Sequence, residues 1–280
     1  MNIAQALELQ SQLADTSDSP RLDAELLLCH VLNKSRSYLL AWSDKTLDAE
    51  QLSEYEALLQ RRQQGEPVAH LIGTQGFWTL DLEVTPDTLI PRPETELLVE
   101  AVLDLKDHTP LRAADLGTGT GAIALVLASE RPGWQLVGCD RVTAAVELAE
   151  RNRQRLGIRN AEFVEGSWFE PLQGSFDLIV SNPPYIDPED PHLQEGDVRF
   201  EPLSALIADK KGMADIESIA EQARDYLAAD GWLLFEHGYD QGEAARDVLQ
   251  ALGYENVTTI QDLGARDRVT MGCWRGQKEC

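Results

Sequence analysis

Short apolar runs alternate with stretches of helical periodicity through the second half of the chain. The predicted elements are strands at 113–116, 135–139, 161–164, 176–180 and 231–236, helices at 123–130, 144–156 and 243–252, and a closing hairpin of 257–260 and 268–271. Strands that alternate with helices at this period form a parallel sheet with helices on both faces. Such a sheet binds ligands at the carboxyl ends of its strands. We therefore predict an α/β fold with its site at that edge.

The first 65 residues are predicted to form a small helical bundle with its own core. Apolar residues recur at helical spacing, and Ser19-Pro20 is typical of a helix start, with Ser19 as cap and Pro20 in the first turn. Gly65-Glu66-Pro67 interrupts this pattern, and the alternation that follows predicts a hairpin or linker. The predicted domains are a helical bundle at 1–65, a hairpin or linker at 66–88, and the α/β domain at 89–280.

The charge of the chain argues against a nucleic-acid partner. Its 280 residues include 24 basic and 48 acidic side chains, for a formal net charge of -24, and this field repels a phosphate backbone. No apolar run approaches the roughly 20 residues that span a bilayer, and the N-terminus lacks the pattern of an export signal. We expect a soluble, cytoplasmic protein that binds no membrane.

Neither the cysteines nor the histidines show a spacing typical of metal ligands. Without a CxxC pair, the cysteines are expected to be reduced thiols, as in the cytosol, and no metal is expected. The residues concerned are the four cysteines, Cys29, Cys139, Cys273 and Cys280, and four of the five histidines, His70, His108, His192 and His237.

A glycine-rich turn follows the strand at 113–116. Glycines at alternate positions let the backbone turn sharply and approach a flat ligand, and the next helix offers free N–H groups. Asp140 ends the next strand, where an acidic side chain can accept hydrogen bonds from both hydroxyls of a ribose. The pattern predicts a nucleotide-like cofactor, the alternative being a turn that only connects strand to helix. The candidate residues of the turn are Gly117, Thr118, Gly119, Thr120 and Gly121.

Asn182-Pro183-Pro184-Tyr185 ends the strand at 176–180. The two prolines stiffen the backbone, and Asn182, which precedes proline, is held extended. The Asn182 side-chain oxygen and the Pro183 carbonyl can then accept the two hydrogens of a planar amino nitrogen. Tyr185 can pack its ring against that flat group. The pattern predicts methylation of an amide or amine nitrogen; the alternative is a turn with Tyr185 as an ordinary core aromatic.

Residues 89–96 form a proline-rich segment with one cation and two carboxylates before a predicted helix at 97–105. Such a segment could line a pocket, with Arg92 and Glu94 closing over a cofactor. An ordinary helix start with Thr95 or Glu94 as cap explains the same pattern. Glu201 is a candidate support for the 182–185 segment.

These motifs together resemble a known family. DLGTGTG at 115–121, the acidic residue at 140 and NPPY at 182–185 are similar to class I S-adenosylmethionine-dependent methyltransferases acting on nitrogen. IPRPETE at 90–96 and the helical N-terminal domain resemble, more narrowly, the release factor glutamine methyltransferases, also called the HemK or PrmC family. The resemblance covers essentially the whole chain.

The resemblance implies a Rossmann-like, mostly parallel seven-stranded sheet after a small helical domain that recognises the substrate. It implies methyl transfer from S-adenosylmethionine to the side-chain amide nitrogen (N5) of the glutamine in the Gly-Gly-Gln motif of class 1 peptide chain release factors, which modulates translation termination. It also places Trp168 near the adenine, gives Asn182 to Tyr185 the catalytic role, and leads us to expect a monomer.

Three alternatives stay open at this point. NPPY is shared with methyltransferases of DNA and RNA amino groups, although the net charge argues against such a substrate. A dehydrogenase could bind a dinucleotide at the glycine-rich turn, with Asp140 on the ribose. A non-enzymatic adaptor built on the helical domain would leave both motifs unexplained.

Overall fold

The computed structural model describes residues 1–194 and 196–276. The chain forms two compact units. The first comprises Met1–Thr74 together with Pro191–Phe200, and the second comprises Gln75–Asp190 together with Glu201–Cys280. Residues 277–280 of the second unit, which include Cys280, lie outside the described part of the chain. The side chain of His192, in the first unit, also lies outside it.

In the part of the chain that the structure describes, the first unit contains five α-helices around its own apolar core. Asn2 and Asp48 each begin a helix with a reciprocal capping box, in which the side chain of the third helical residue returns the hydrogen bond. Pro20 lies in the first turn of the second helix as predicted, but Ser19 makes no side-chain capping bond there. The helices are α1 (Ile3–Leu7), α2 (Pro20–Leu32), α3 (Arg36–Ala41), α4 (Ala49–Gln63) and α5 (Val68–Ile72).

Residues Pro191–Phe200 belong to this helical unit although they follow the NPPY segment in the chain. Arg62, buried in α4, donates to Asp23 Oδ2 at 2.7 Å and to Asp197 Oδ1 at 2.8 Å. A buried guanidinium needs such partners because an unpaired charge in the interior is costly. The units therefore divide differently from the predicted boundary at residue 65: the helical unit continues to Thr74 and takes up a distant segment.

The second unit is built on a seven-stranded sheet. Its strand order is β5-β4-β3-β6-β7-β9-β8, with parallel pairing from β5 to β7 and antiparallel pairing of β9 with β7 and β8. A separate two-stranded sheet, β1 with β2, precedes it. The strands are β1 (Thr74–Phe77), β2 (Leu80–Glu83), β3 (Arg112–Leu116), β4 (Gln135–Asp140), β5 (Ala161–Glu165), β6 (Phe176–Ser181), β7 (Leu227–Glu236), β8 (Glu255–Gln261) and β9 (Asp267–Trp274).

Helices cover both faces of this sheet. Side chains alternate between the faces of a strand, so Ala113 joins a core with α6 and α7 whereas its neighbour Ala114 joins a core with α9 and α10. Residues 122–128 of α7 are all buried, which explains why this helix is apolar all round. The helices are α6 (Glu96–Leu105), α7 (Ala122–Glu130), α8 (Thr143–Leu156), α9 (Ala214–Tyr226) and α10 (Gly242–Ala251).

The predicted fold class is confirmed: a mostly parallel seven-stranded sheet with helices on both faces, preceded by helices. The predicted strands lie within the observed ones, although β7 begins at Leu227, before the predicted start at 231. The sequence reasoning missed α9. Within the described ranges no helix is long and apolar enough to cross a membrane, no His, Cys, Asp and Glu cluster is arranged to hold a metal, and Cys29, Cys139 and Cys273 are free thiols.

Candidate active site

A cleft of about 970 Å³ opens at the carboxyl ends of the central strands in the second unit. The strand order reverses between β3 and β6, and this switch point is where open α/β sheets bind their ligands. Of the residues predicted for the site, Gly117, Thr118, Gly119, Thr120, Asp140, Trp168, Asn182 and Pro184 line this cleft.

The glycine-rich turn connects β3 to α7. Gly117 has φ of +70°, and a Cβ there would lie 3.3 Å from Cζ3 of Trp168. Gly121 has φ of +82° and is the N-cap of α7; a Cβ there would meet Leu125 and Phe163 at 3.0 Å. Gly121 therefore does not line the cleft but lets the turn pack against the sheet.

Asn152 of α8 makes hydrogen bonds with the backbone of this turn and of β2. Its Nδ2 donates to the carbonyl oxygens of Thr120 and Glu83, both at 3.0 Å, and its Oδ1 accepts from the N–H of Glu83 at 2.7 Å. Asn152 is fully buried. The side chain thus joins the turn to the end of β2 through bonds that water does not weaken.

Asp115, the last but one residue of β3, is a buried acid that the sequence reasoning did not place in the site. Its Oδ2 accepts from the Thr118 hydroxyl at 2.6 Å and from the Ala124 N–H at 3.2 Å. Its Oδ1 has no hydrogen-bond partner in the described part of the chain. Burial raises the pKa of this carboxyl to about 6 against these hydrogen bonds, which favour the charged form. The signal in the sequence that could have found Asp115 is an acid inside an otherwise apolar strand.

Asp140 ends β4 and lines the cleft. Its Oδ2 accepts from the Gly119 N–H and its Oδ1 from the Val142 N–H, both at 3.0 Å. Each carboxylate oxygen can accept more than one hydrogen bond. The two backbone bonds therefore fix the carboxylate and leave capacity on both oxygens for hydroxyl donors in the cleft.

Trp168 follows β5 and has a left-handed backbone conformation, with φ of +47°. Its carbonyl oxygen accepts from the Cys139 thiol at 3.0 Å, and burial raises the pKa of that thiol to about 12, so it stays protonated as a donor. This hydrogen bond holds the Trp168 backbone while the ring lies against Gly117 at the cleft. A flat aromatic face is thereby available to a planar ligand.

The NPPY segment leaves the end of β6. Asn182 and Pro184 line the cleft, whereas Pro183 is buried. The Asn182 Nδ2 donates to the Thr95 hydroxyl oxygen at 3.0 Å. The Tyr185 hydroxyl donates to Glu236 Oε1 at 3.2 Å, and the ring does not line the cleft. The predicted packing of the Tyr185 ring against a substrate stays a prediction.

The 89–96 segment lies over the same cleft. Arg92 Nη2 donates to Glu201 Oε2 at 2.6 Å, and the Ile90 N–H donates to Glu201 Oε1 at 3.1 Å. Glu201 therefore supports this segment, and its predicted support of the NPPY segment stays a prediction. Arg92 and Thr95 line the cleft and Glu94 does not. Thr95 is the N-cap of α6 by position, but it makes no side-chain capping bond.

Glu236, at the end of β7, is a second buried acid that the sequence reasoning missed. It is 1% exposed. Burial raises the pKa of its carboxyl, while hydrogen bonding from the Thr95 and Tyr185 hydroxyls and the charge of Arg268 act in the opposite direction. Glutamate after the apolar run 232–235 was the signal that could have found it.

Two protein families match parts of the chain. The PrmC N-terminal domain matches residues 7–73, and the methyltransferase small domain matches residues 93–196. The first match lies in the helical unit. The second spans the glycine-rich turn, Asp140 and the NPPY segment.

Close relatives carry one name. The chain is 56% identical to the release factor glutamine methyltransferase of Vibrio cholerae, over 94% of this chain and 93% of that protein. It is 54% identical to the release factor glutamine methyltransferase of Escherichia coli strain K12, over 95% of this chain and 96% of that protein. Among solved structures, a methyltransferase from Pyrococcus furiosus shares the fold with a TM-score of 0.55 at 20% identity, over 80% of this chain and 100% of that one.

Proposed function

Since the chain belongs to the release factor glutamine methyltransferase family, we propose that it methylates a glutamine side chain of a class 1 peptide chain release factor. The methyl group comes from S-adenosylmethionine and is transferred to the amide nitrogen (N5) of the glutamine in the Gly-Gly-Gln motif. The observation that carries this proposal is that Asn182 faces the same cleft as the glycine-rich turn and Asp140. The acceptor amide and the methyl donor can therefore meet in one place.

The residues present fit S-adenosylmethionine. Both oxygens of Asp140 retain capacity for the two ribose hydroxyls, the Trp168 ring offers a face to the adenine, and the turn at 117–120 lets the ligand approach the backbone. When bound, the cofactor supplies an electrophilic methyl group on a positively charged sulfur. The acidic net charge of the chain favours such a cation.

The acceptor nitrogen needs help because an amide lone pair is delocalised into its carbonyl. With Nδ2 of Asn182 bonded to Thr95, its Oδ1 is the end of the side chain left for the substrate. Oδ1 and the Pro183 carbonyl oxygen would accept the two hydrogens of the glutamine amide and orient its nitrogen. As the N–C bond forms and the S–C bond breaks, positive charge grows on that nitrogen and meets the partial negative charge of both oxygens. The nitrogen then loses one proton to water.

The helical unit is proposed to recognise the release factor, and we propose that the protein acts as a cytoplasmic monomer. Support comes from the C-terminal end of α3, where Leu40 is 73% exposed and Trp42, which follows the helix, is 55% exposed. Large apolar side chains exposed to solvent are typical of protein-binding surfaces.

The test is methyl transfer from labelled S-adenosylmethionine to a purified class 1 release factor. A matched substrate has the glutamine of its Gly-Gly-Gln motif changed to alanine. Label in the first and none in the second is the expected result. Label that enters DNA or RNA but no release factor would replace this function with the nucleic-acid alternative, and binding of NAD without S-adenosylmethionine would replace it with the dehydrogenase.

A further inference from the structure

The two prolines of the NPPY segment cannot fix its backbone by hydrogen bonds of their own. Pro183 and Pro184 have no N–H group, so neither can donate a hydrogen bond that would hold the segment. The start of the segment is held by β6, whose last residue, Ser181, pairs with both neighbouring strands. Because each proline also fixes its own φ angle, the direction of the Pro183 carbonyl depends on how the other end of the segment, Tyr185, is held.

Gln241 holds the backbone carbonyl of Tyr185. Its Nε2 donates to the carbonyl oxygens of Tyr185 and Lys211, both at 3.0 Å, and its Oε1 accepts from the Gly238 N–H at 2.8 Å. These three bonds determine the orientation of the amide, since only the NH₂ group can donate to two carbonyls. Gln241 is 9% exposed, so water competes little with the bonds.

A turn after β7 places this side chain. The Gln241 N–H donates to the Gly238 carbonyl oxygen at 3.0 Å, and Gln241 is the N-cap of α10 by position. The same carbonyl is bonded to Nδ1 of His237 at 2.8 Å, and Nδ1 is the donor because a carbonyl only accepts. His237 is fully buried. The amide of Gln241 therefore extends from a turn that is fixed to the core.

The second carbonyl that Gln241 holds belongs to a strained turn. Lys210, Lys211 and Gly212 are three successive residues in the left-handed region, with φ of +55°, +57° and +81°. This conformation is unfavourable for a residue with a Cβ, and it persists where surrounding contacts determine it. At Gly212 the turn lies directly against Tyr185, because a Cβ there would overlap the Tyr185 carbonyl oxygen. The turn and Gln241 therefore hold the same carbonyl.

We propose that Gln241 is a positioning residue for methyl transfer: by holding the Tyr185 carbonyl, it fixes the direction of the Pro183 carbonyl. The proposal rests on the proposed function, in which the Pro183 carbonyl accepts a hydrogen of the substrate amide. Gln241 does not line the cleft. It acts through the backbone of the NPPY segment and not by contact with a ligand.

Gln241→Glu tests this role with the exchange of one NH₂ group for an oxygen. A carboxylate has no hydrogen, so the new oxygen would face two carbonyl oxygens and repel them. We expect kcat for methyl transfer to fall about 10–100-fold, since displacement of a reacting group costs on that order. The KM for the release factor and the Kd for S-adenosylmethionine should stay within about threefold of wild type. An unchanged kcat per folded molecule would overturn the proposal.

Asn160→Asp is the matched control. The Asn160 Nδ2 donates to three backbone carbonyls, those of Ala128, Arg131 and Trp134, at 3.0, 3.3 and 3.1 Å. Asn160 precedes β5, so it lies at the amino ends of the strands, opposite the cleft. The same chemical change there should lower the thermal midpoint and leave kcat per folded molecule unchanged. A fall in kcat like that of Gln241→Glu would mean that general loosening explains the result, and would overturn the proposal.

Gly212→Ala displaces the same carbonyl from the other side. Its new methyl group would overlap the Tyr185 carbonyl oxygen, so kcat should again fall while the KM and the Kd are retained. Gly157→Ala is its control, because Gly157 has φ of +69° and open space around its Cβ position. That variant introduces backbone strain without displacing a neighbour. Equal kcat in Gly212→Ala and Gly157→Ala would count against the proposal and overturn it.

Hydrogen exchange of the unliganded protein, followed by mass spectrometry, tests the placement without a substrate. Directly after the NPPY segment, the Ile186 N–H donates to the Leu206 carbonyl at 2.9 Å and the Ala208 N–H to the Ile186 carbonyl at 3.1 Å. Both amides should exchange at least about tenfold faster in Gln241→Glu, and at the wild-type rate in Asn160→Asp. Equal rates in Gln241→Glu and wild type would overturn the proposal. If wild type methylates no release factor, the proposed function fails, and the exchange rates still decide whether Gln241 holds the segment.

Discussion

Asp140→Asn is the sharpest test of the cofactor site, because each carboxylate oxygen of Asp140 already has one backbone partner. Oδ2 accepts from Gly119 and Oδ1 from Val142, both at 3.0 Å. Asparagine has nearly the same shape but replaces one oxygen with an NH₂ group. Whichever way the new amide turns, its NH₂ group faces a backbone N–H, and two donors repel.

The expected cost follows from these contacts. A hydrogen bond to a charged group contributes about 1.5–3 kcal/mol. One backbone bond is lost outright, so the free energy of unfolding should fall by about 1–3 kcal/mol. On the cofactor side, one charged acceptor for the ribose becomes a donor, so the Kd for S-adenosylmethionine should rise by about 10–150-fold.

The assays are calorimetric titration with S-adenosylmethionine and urea unfolding of the unliganded protein. Asp140→Ala is the informative companion, because it opens the half-buried position to water and leaves no opposed donor. We expect both variants to bind the cofactor weakly, with Asp140→Asn the less stable of the two. Cofactor binding by Asp140→Asn within threefold of wild type, with an unchanged unfolding midpoint, would refute the assignment of Asp140 to the ribose.

Asn182→Ala should lower kcat by about 100–1,000-fold, because this is the usual effect of losing one hydrogen-bonding group aimed at developing charge. The Kd for S-adenosylmethionine should change little. Equal loss in kcat and in cofactor affinity would contradict the role of Asn182. Gly117→Ala should cost about 1–2 kcal/mol in urea unfolding, since its φ of +70° is strained for alanine, and should weaken cofactor binding because the new methyl displaces Trp168; unchanged affinity would show that the ring does not contact the ligand. For Asp115, the folded pKa of about 6 lies above its ordinary value of 3.8, so the buried charge destabilises the protein above pH 6 and that destabilisation disappears as pH falls toward 4. As the pH falls from 7.5 to 5, the free energy of unfolding of Asp115→Asn should therefore rise less than that of wild type, by about 1–3 kcal/mol. Identical pH profiles of the two proteins would refute the pKa shift of Asp115.

The sheet could be predicted from the sequence because its signal is local. Each strand is a short apolar run and each helix has its own periodicity. The division into units could not be predicted in the same way. Pro191–Phe200 joins the helical unit through the Arg62–Asp197 ion pair, between residues 135 positions apart, and no local pattern reveals a contact over that distance.

The same difference between local and long-range signals applies to the residues of the candidate site. Gly117 and Asp140 could be placed because the carboxyl ends of parallel strands meet at one edge. Glu236 was missed because it acts on another side chain, and its importance depends on the hydrogen bond that it accepts from Tyr185. For Tyr185, the motif predicts ring packing against the substrate, which stays a prediction, and the hydrogen bond of its hydroxyl to Glu236 could not be predicted because the two residues are distant in the chain.

One arrangement occurs twice around the cleft and explains what the two buried acids have in common. Behind the glycine-rich turn, Asp115 accepts from the hydroxyl of Thr118; behind the NPPY segment, Glu236 accepts from the hydroxyl of Tyr185. Both hydroxyls belong to the predicted motifs, and burial raises the pKa of both acids.

A buried carboxylate is an unfavourable way to stabilise a fold, since removing a charge from water costs more than a few hydrogen bonds return. When ionised, however, it carries no hydrogen, so a neighbouring hydroxyl must donate to it, which fixes the direction of that hydroxyl. Neutral amides at 115 and 236 would remove the desolvation cost and lose this control of direction. We therefore expect the double variant Asp115→Asn, Glu236→Gln to be at least as stable as wild type at pH 8 and far less active, which is the trade-off between stability and activity that a preorganised site implies. Denaturant unfolding and methyl transfer, measured on the same samples at pH 8, test this, and a double variant that is both unstable and inactive would mean that the two acids serve the fold instead.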